Sequence, residues 1–218
     1  MKLELKDEQE RLRDRVICTD HNIQNRTHVT GVDVSYHDDM AFGAAVTLDI
    51  DDNSVLGETQ ISVSEVREYI PEQFYLREGP VLERLLAEHK VTGPVLVDAN
   101  GILHPRRFGL ASHIGVRLNI VTIGVAKTLL LGQAQERIND TARIIDKGEL
   151  VGMALWLGQR ETPLYVSVGH RISLHSAVAI VRASSFPSYP EPLQLADRLS
   201  RENRRLHLAD VKSAALED

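Results

Sequence analysis

The chain has 218 residues, of which 43% are hydrophobic and 26% charged, with a net charge of −6. This balance is that of a globular protein and excludes fibrous and disordered classes; the length suits a single domain over residues 1–218, within the roughly 250 to 300 residues one core can serve. One cysteine, Cys18, excludes an internal disulfide and a zinc cage built mainly from cysteines, and it points to a reducing compartment.

Taken in chain order, "KDEQERLRDRVI" (residues 6–17) predicts an amphipathic helix, and "TDHNIQNRT" a loop rich in turn formers. The runs "HVTGVDVSY", "AFGAAVTLDI" and "SVLGETQISVS" follow as β-branched strands with short connections, the signature of an antiparallel meander. In "REYIPEQFYLREGPVLERLLAEHK" the helical spacing of Val81, Leu82, Leu85 and Leu86 predicts a helix in the second half, with Pro80 near its start and Glu78 just ahead of it. The strand "PVLVD" leads into a Gly- and His-rich connection, and "IVTIGVA", "GELVGMALWL" and "PLYVSVG" read as further strands. Two helices close the chain, one from about Ser173 and one from about Pro192 with Leu195 and Leu199 on one face. A meander followed by alternating helices and strands is an α/β order with a mixed sheet, the order of the ribonuclease H-like layout.

The N-terminus is charged, and the longest apolar runs fall far short of the roughly 20 residues that span a bilayer. A cytoplasmic protein is therefore expected, and a monomer, because no long exposed apolar stripe is evident. A net charge of −6 argues against a non-specific nucleic-acid coat but leaves room for a local basic groove. The closest cluster of arginines, in "DRLSRENRR", reads as a solvated helix face.

Three acids carry the chemical signal. Asp33 lies between Val32 and Val34, so strand alternation sets it on the opposite face from both; it suits either a solvated sheet face or a metal. Asp98 ends the strand "VLVD", at the carboxyl edge where open α/β sheets place their sites, although a turn or cap serves there equally. Two acids on neighbouring strands repel unless a cation lies between them. With Glu78, whose plain role is a favourable charge near a helix N-terminus, they form a hard oxygen set suited to Mg²⁺ or Mn²⁺, which orients water for in-line attack at phosphorus. Lys127, just after a strand, is a candidate cation near the phosphate and equally an ordinary surface lysine.

The segments "GVDVSY", "YIPEQFYLREGP", "VLVDANGILHPRRFGLASHIGV", "TIGVAKTLL", "VSVGHRISL" and "PEPLQLAD" occur in this order, and the chain resembles the endonuclease V (deoxyinosine 3′ endonuclease) family from about residue 8 to 205. The resemblance implies a ribonuclease H-like fold with catalytic residues Asp33, Glu78, Asp98, His104 and Lys127. Metal ligation falls to Asp33, Glu78, Asp98 and Asp197, with Mg²⁺ as cofactor and Mn²⁺ as its substitute. Substrate binding falls to Tyr69, Ile70, Pro71, Ala99, Arg106, Gly109 and Leu130, the first three forming a wedge that enters the strand as the modified base turns out into a pocket. The implied reaction is hydrolysis of the second phosphodiester bond 3′ to deoxyinosine in DNA, or to inosine in RNA, leaving 3′-hydroxyl and 5′-phosphate ends.

The chain departs from that pattern at Glu68 and Glu72, which flank the wedge where Pro and Gly are usual, and at Ala99, which replaces a Gly directly after the metal-binding Asp. Gly permits a close backbone approach that Ala obstructs, so these positions bear on base preference more than on hydrolysis. His175, on the first turn of a helix capped by Ser173, reads as structural, as do His113 and His170. Two other functions stay open: a nuclease of this fold acting on hybrid or structured nucleic acid, and a module that grips modified nucleic acid without cutting it.

Overall fold

Three strands pair antiparallel in sequence order, as their short connections predict: β1 (His28–His37), β2 (Met40–Asp49) and β3 (Ser54–Val63). The computed structural model describes residues 2–21, 27–64, 66 and 74–214. Beside β1 and parallel to it runs β4 (Val95–Val97), followed by β5 (Thr122–Ala126), parallel to β4. The remaining strands are β6 (Gln133–Ala134), β7 (Thr141–Asp146), β8 (Glu149–Leu155) and β9 (Leu164–His170), and β9 returns antiparallel to β5. The described residues thus form one mixed sheet in the order β3-β2-β1-β4-β5-β9-β8-β7-β6.

Helices cover both faces. On one, α1 (Lys2–Leu12), α2 (Phe74–Glu88) and α3 (Leu110–Leu118) pack Leu5, Leu82, Leu85 and Ile114 against Val32, Val95 and Val97. On the other, α4 (Leu174–Ala183) and the start of α5 (Glu191–Ala214) pack Ala177, Val181 and Leu193 against Leu96, Val125 and Val166. The strand β4 therefore sends Val95 and Val97 to one core and Leu96 to the other, which is why it reads as an unbroken apolar run. Each such fully buried side chain contributes about 1.5–3 kcal/mol of hydrophobic stabilisation.

Several sequence expectations shift. The first helix runs over Lys2–Leu12 with a 3-10 turn at Arg13–Arg15, earlier than residues 6–17. Pro80 sits inside α2 rather than at its start, so Glu78 is a helical residue and not a group preceding the helix. The Gly- and His-rich connection after β4 contains α3, whose end is set by Asn119 in the left-handed conformation (φ 55°), its N–H bonded to the Gly115 carbonyl. At the last helices the expectations hold: Ser173 caps α4, its hydroxyl accepting from the Ser176 N–H at 3.1 Å, and α5 begins at Glu191.

Two glycines bring the functional elements together. A Cβ on Gly31 of β1 would lie 2.2 Å from the Pro192 carbonyl carbon, so only glycine lets the start of α5 lie against this strand. A Cβ on Gly124 of β5 would lie 2.5 Å from the Gly101 nitrogen and 2.6 Å from the Ala99 oxygen, so glycine is what lets the loop after Asp98 fold across β5. Among the described residues no helix is long and apolar enough to cross a membrane.

Candidate active site

The parallel register of β1 and β4 pairs Val32 with Val97. The next residue on each strand is an acid, so Asp33 and Asp98 stand side by side at the carboxyl edge of the sheet. Alternation sends Val32 and Val34 into the core beneath α2 and leaves Asp33 on the other face, against α5. There its Oδ2 accepts a hydrogen bond from the Ser200 hydroxyl at 2.6 Å. Burial raises the Asp33 pKa above the ordinary carboxylate value, the Ser200 bond works against this, and the nearby charges of Asp197 and Asp98 add to the rise.

Glu78, on α2, completes the group from the other side. Its pKa is pushed up to about 8, first by burial and then by the charges of Asp33 and Asp98, whereas Tyr36 and Arg77 pull it down. Buried acids set this close to further carboxylates are short of positive charge. One cation is supplied by the fold: Lys127, directly after β5, places Nζ 2.5 Å from Asp98 Oδ2.

Asp33, Asp98, Lys127 and Asp197 line a cavity of about 480 Å³ together with Arg160, Tyr189, Arg198 and Arg201. Asp197 is held by Arg201 one turn along α5, with both contacts to its Oδ1 at 2.8 Å. The cavity thus has a carboxylate floor and a cationic rim. Arg198 and Arg201 belong to the cluster that reads from sequence as a solvated helix face; both are exposed, as that reading has it, and helical periodicity also sets them on the wall of this cavity.

Asp98 and Lys127 also line a second cavity, of about 600 Å³, with Leu5, Tyr75, Ala99, Asn100, His104, Arg106, Gly109, Leu110 and Leu130 among its walls. Four of the sequence-predicted substrate residues, Ala99, Arg106, Gly109 and Leu130, are therefore gathered here with His104. The remaining three, Tyr69, Ile70 and Pro71, lie outside the described residues, as do Glu68 and Glu72. Arg106 donates from Nε to Gln9 Oε1 at 2.5 Å, and Gln9 Nε2 donates to the Phe108 carbonyl, which ties α1 to the cavity wall. Arg107 points elsewhere, its guanidinium bonded to Asp146 at 2.7 Å and Glu149 at 3.0 Å, and so belongs to the β7–β8 hairpin rather than to the site.

His113, His170 and His175 stay out of both cavities. His113 is fully buried, stacked on Tyr75 with ring centroids 3.3 Å apart, and burial followed by the Arg117 charge depresses its pKa to about 3, so it is a neutral core ring. Burial likewise lowers His170 to about 4, and its Nδ1 accepts from the Ile17 N–H. His175 is exposed on the first turn of α4.

Sequence reasoning missed Ser200, Tyr36, Tyr189 and Arg160. The first was legible in part, since Ser200 lies three residues after Asp197 and shares its helix face; Arg160, between β8 and β9, carries no local signal. The hydroxyls of Tyr36 and Tyr189 are buried and complete no hydrogen bond of ordinary geometry. Each acts electrostatically on a neighbouring acid, Tyr36 on Glu78 and Tyr189 on Asp98, and burial, then those carboxylates, raises both phenols above the usual tyrosine range.

Among the described residues no three His, Cys, Asp or Glu side chains form a finished metal cage. The donor set nonetheless fits a hard divalent cation: all oxygens, with the Glu78 pKa raised by burial and by the Asp33 and Asp98 charges, and Lys127 in salt-bridge contact with Asp98.

Comparison with known proteins identifies the family and the fold. The family model for endonuclease V matches residues 10–198. An endonuclease V of Thermofilum pendens is 42% identical over 173 residues, covering 76% of this chain and 73% of its own. The crystal structure of the Streptomyces avermitilis endonuclease V superposes with a TM-score of 0.86 at 33% identity, covering 95% of each chain. That of the Ciona intestinalis enzyme, in complex with a 24mer DNA containing an inosine followed by a ribo-adenosine, superposes with a TM-score of 0.84 at 29% identity, covering 93% of this chain and 97% of its own. The family model and the likeness in sequence and fold over most of the chain agree, and the chain belongs to the endonuclease V family.

Proposed function

We propose that the protein is a Mg²⁺-dependent endonuclease that hydrolyses the second phosphodiester bond 3′ to deoxyinosine in DNA or to inosine in RNA. The observation that carries this reading is the β1–β4 register, which sets Asp33, on the wall of the cation-rimmed cavity, beside Asp98, on the wall that this cavity shares with a base-sized one. The inosine-containing DNA bound by the Ciona intestinalis relative supports the choice of substrate. On this reading the sheet is the ribonuclease H-like layout, residues 1–218 act as one catalytic domain, and the enzyme works as a cytoplasmic monomer.

Asp33, Glu78, Asp98 and Asp197 would hold the cation, which when bound supplies charge stabilisation at the phosphate and lowers the pKa of an attacking water. The chain's own residues do the rest. Lys127, Arg160 and Arg198 draw the phosphodiester into the first cavity against the general negative charge of the chain. The second cavity, with Ala99, Gly109 and Leu130 on its walls and His104 and Arg106 at its polar side, takes the extruded base. Lys127 and Asp98, common to both cavities, keep base and phosphate in a fixed relation. Water attacks phosphorus, the bond to O3′ breaks and O3′ takes up a proton, leaving 3′-hydroxyl and 5′-phosphate ends.

The test uses end-labelled DNA and RNA oligonucleotides carrying one deoxyinosine or inosine, incubated with the protein in Mg²⁺, with Asp33→Ala as control. Cleavage one nucleotide beyond the lesion is the expected result. Cleavage elsewhere would assign another substrate, and binding without cleavage would make the protein a lesion-binding module.

A further inference from the structure

Tyr36 and Tyr189 share three features that the reaction leaves unused. Each hydroxyl is buried and approaches a carboxylate without reaching full hydrogen-bond geometry, although buried polar groups nearly always have a completed partner. Each ring carries a cation, Arg77 with Cζ 3.9 Å from the Tyr36 centroid and Lys127 with Nζ 5.0 Å from that of Tyr189. And each hydroxyl interacts with one of the site carboxylates, Tyr36 with Glu78 and Tyr189 with Asp98.

Asp33 shows what such a donor does when its bond is made, since the Ser200 hydroxyl holds one of its oxygens at 2.6 Å. A carboxylate has two oxygens, and a donor fixed on one aims the other. Asp98 is at present engaged on Oδ2 by Lys127, which competes with the phenol for the same acid.

We propose that Tyr36 and Tyr189 are positioning residues for the cation, their hydroxyls donating to Glu78 and Asp98 as that of Ser200 does to Asp33, so that each of the three acids presents an aimed oxygen. The proposal rests on the reading of this cluster as a cation site. It also explains why Lys127 lies over the Tyr189 ring: when a cation takes its place on Asp98, the ammonium stays tethered by the ring face and is free to meet the phosphate. A phenol is suited to this task because it donates one hydrogen bond and brings no charge to the cluster.

The experiment is a Mn²⁺ titration of the full chain without nucleic acid, followed by electron paramagnetic resonance, on wild type, Tyr36→Phe, Tyr189→Phe and Ser200→Ala. Each substitution is expected to weaken Mn²⁺ binding by about 10-fold, at the lower end of the roughly 10–100-fold typical of lost donors around a metal. Binding of an inosine oligonucleotide in EDTA should stay as in wild type, which a general packing defect would not allow. Thermal melts identify any variant that fails to fold, and Tyr→Phe keeps the ring and its cation. If both Phe variants bind Mn²⁺ as wild type does, the proposal falls while the cation site stands; a loss in only one keeps that tyrosine and removes the other. If wild type itself binds no Mn²⁺, the cation reading falls and this proposal with it. Mn²⁺ binding combined with indifference to inosine would overturn the substrate alone.

Discussion

Lys127 Nζ lies 2.5 Å from Asp98 Oδ2, on the wall common to the two cavities. The pair joins the end of β5 to the end of β4, and it puts a lysine directly against the site acids. Lys127→Met keeps the stem and removes the charge. It should slow cleavage of an inosine oligonucleotide by roughly 10²-fold in kcat/KM, the scale of losing one preorganised donor. Single-turnover kinetics check this; an unchanged rate would make the lysine an accessory of Asp98 only.

Removing either central acid should be more severe. Asp33→Ala or Asp98→Ala takes away a ligand of the proposed cation, and a loss of roughly 10³-fold in cleavage corresponds to the several kcal/mol a metal contributes to transition-state stabilisation. Circular dichroism should show both variants folded, since Asp33 and Asp98 lie outside the apolar clusters.

Glu78 makes metal-free stability depend on pH. Its folded pKa of about 8 stands above the ordinary 4.5, so the folded state binds more protons than the unfolded state between these values. The sign follows: the contribution of Glu78 to stability is fully present below about 4.5 and is lost as pH rises through 8. In EDTA the melting temperature should drop over this window, at about 2–4 °C per kcal/mol for a chain of this size, and Glu78→Gln should flatten the profile. Mg²⁺ should raise the melting temperature more at pH 8 than at pH 5, because binding favours the ionised acids. A profile unchanged in Glu78→Gln would show the carboxyl to be ordinary.

Ala99 concerns selectivity rather than rate. Its methyl group lines the second cavity directly after Asp98. Ala99→Gly should widen the base site and admit larger purines, lowering the kcat/KM ratio of inosine to xanthosine substrates by roughly 10-fold, the lower bound for one methyl in a pocket. Equal ratios in the two proteins would remove Ala99 from recognition.

How much of this was legible beforehand varies with the range of the interaction. The meander, the strand ending on Asp98, the Ser173 cap and the segments "VLVDANGILHPRR" and "GVAK" are local, because period-2 alternation, turn residues and capping act within a few positions. Helix α3 was hidden because its signals are interrupted by Gly115 and His113, whose place in the core depends on Tyr75 and Phe108 from elsewhere in the chain. Arg106 and Arg107 are neighbours in sequence, yet one faces the base-sized cavity and the other binds the β7–β8 hairpin; Arg107 adopts a left-handed backbone (φ 56°), which no local pattern announces.

By itself, then, the amino-acid sequence determined most of the elements, the oxygen-rich donor set and the family. Only the tertiary structure decided which groups serve those acids. The parallel register set Asp33 beside Asp98, Gly31 let α5 bring Ser200, Asp197 and Arg201 against β1, and the loop before α5 supplied Tyr189. The reason is physical: a carboxylate's type is written in one residue, but its partner is whatever donor the packing of distant elements leaves within hydrogen-bond reach, here 167 residues away for Asp33 and Ser200.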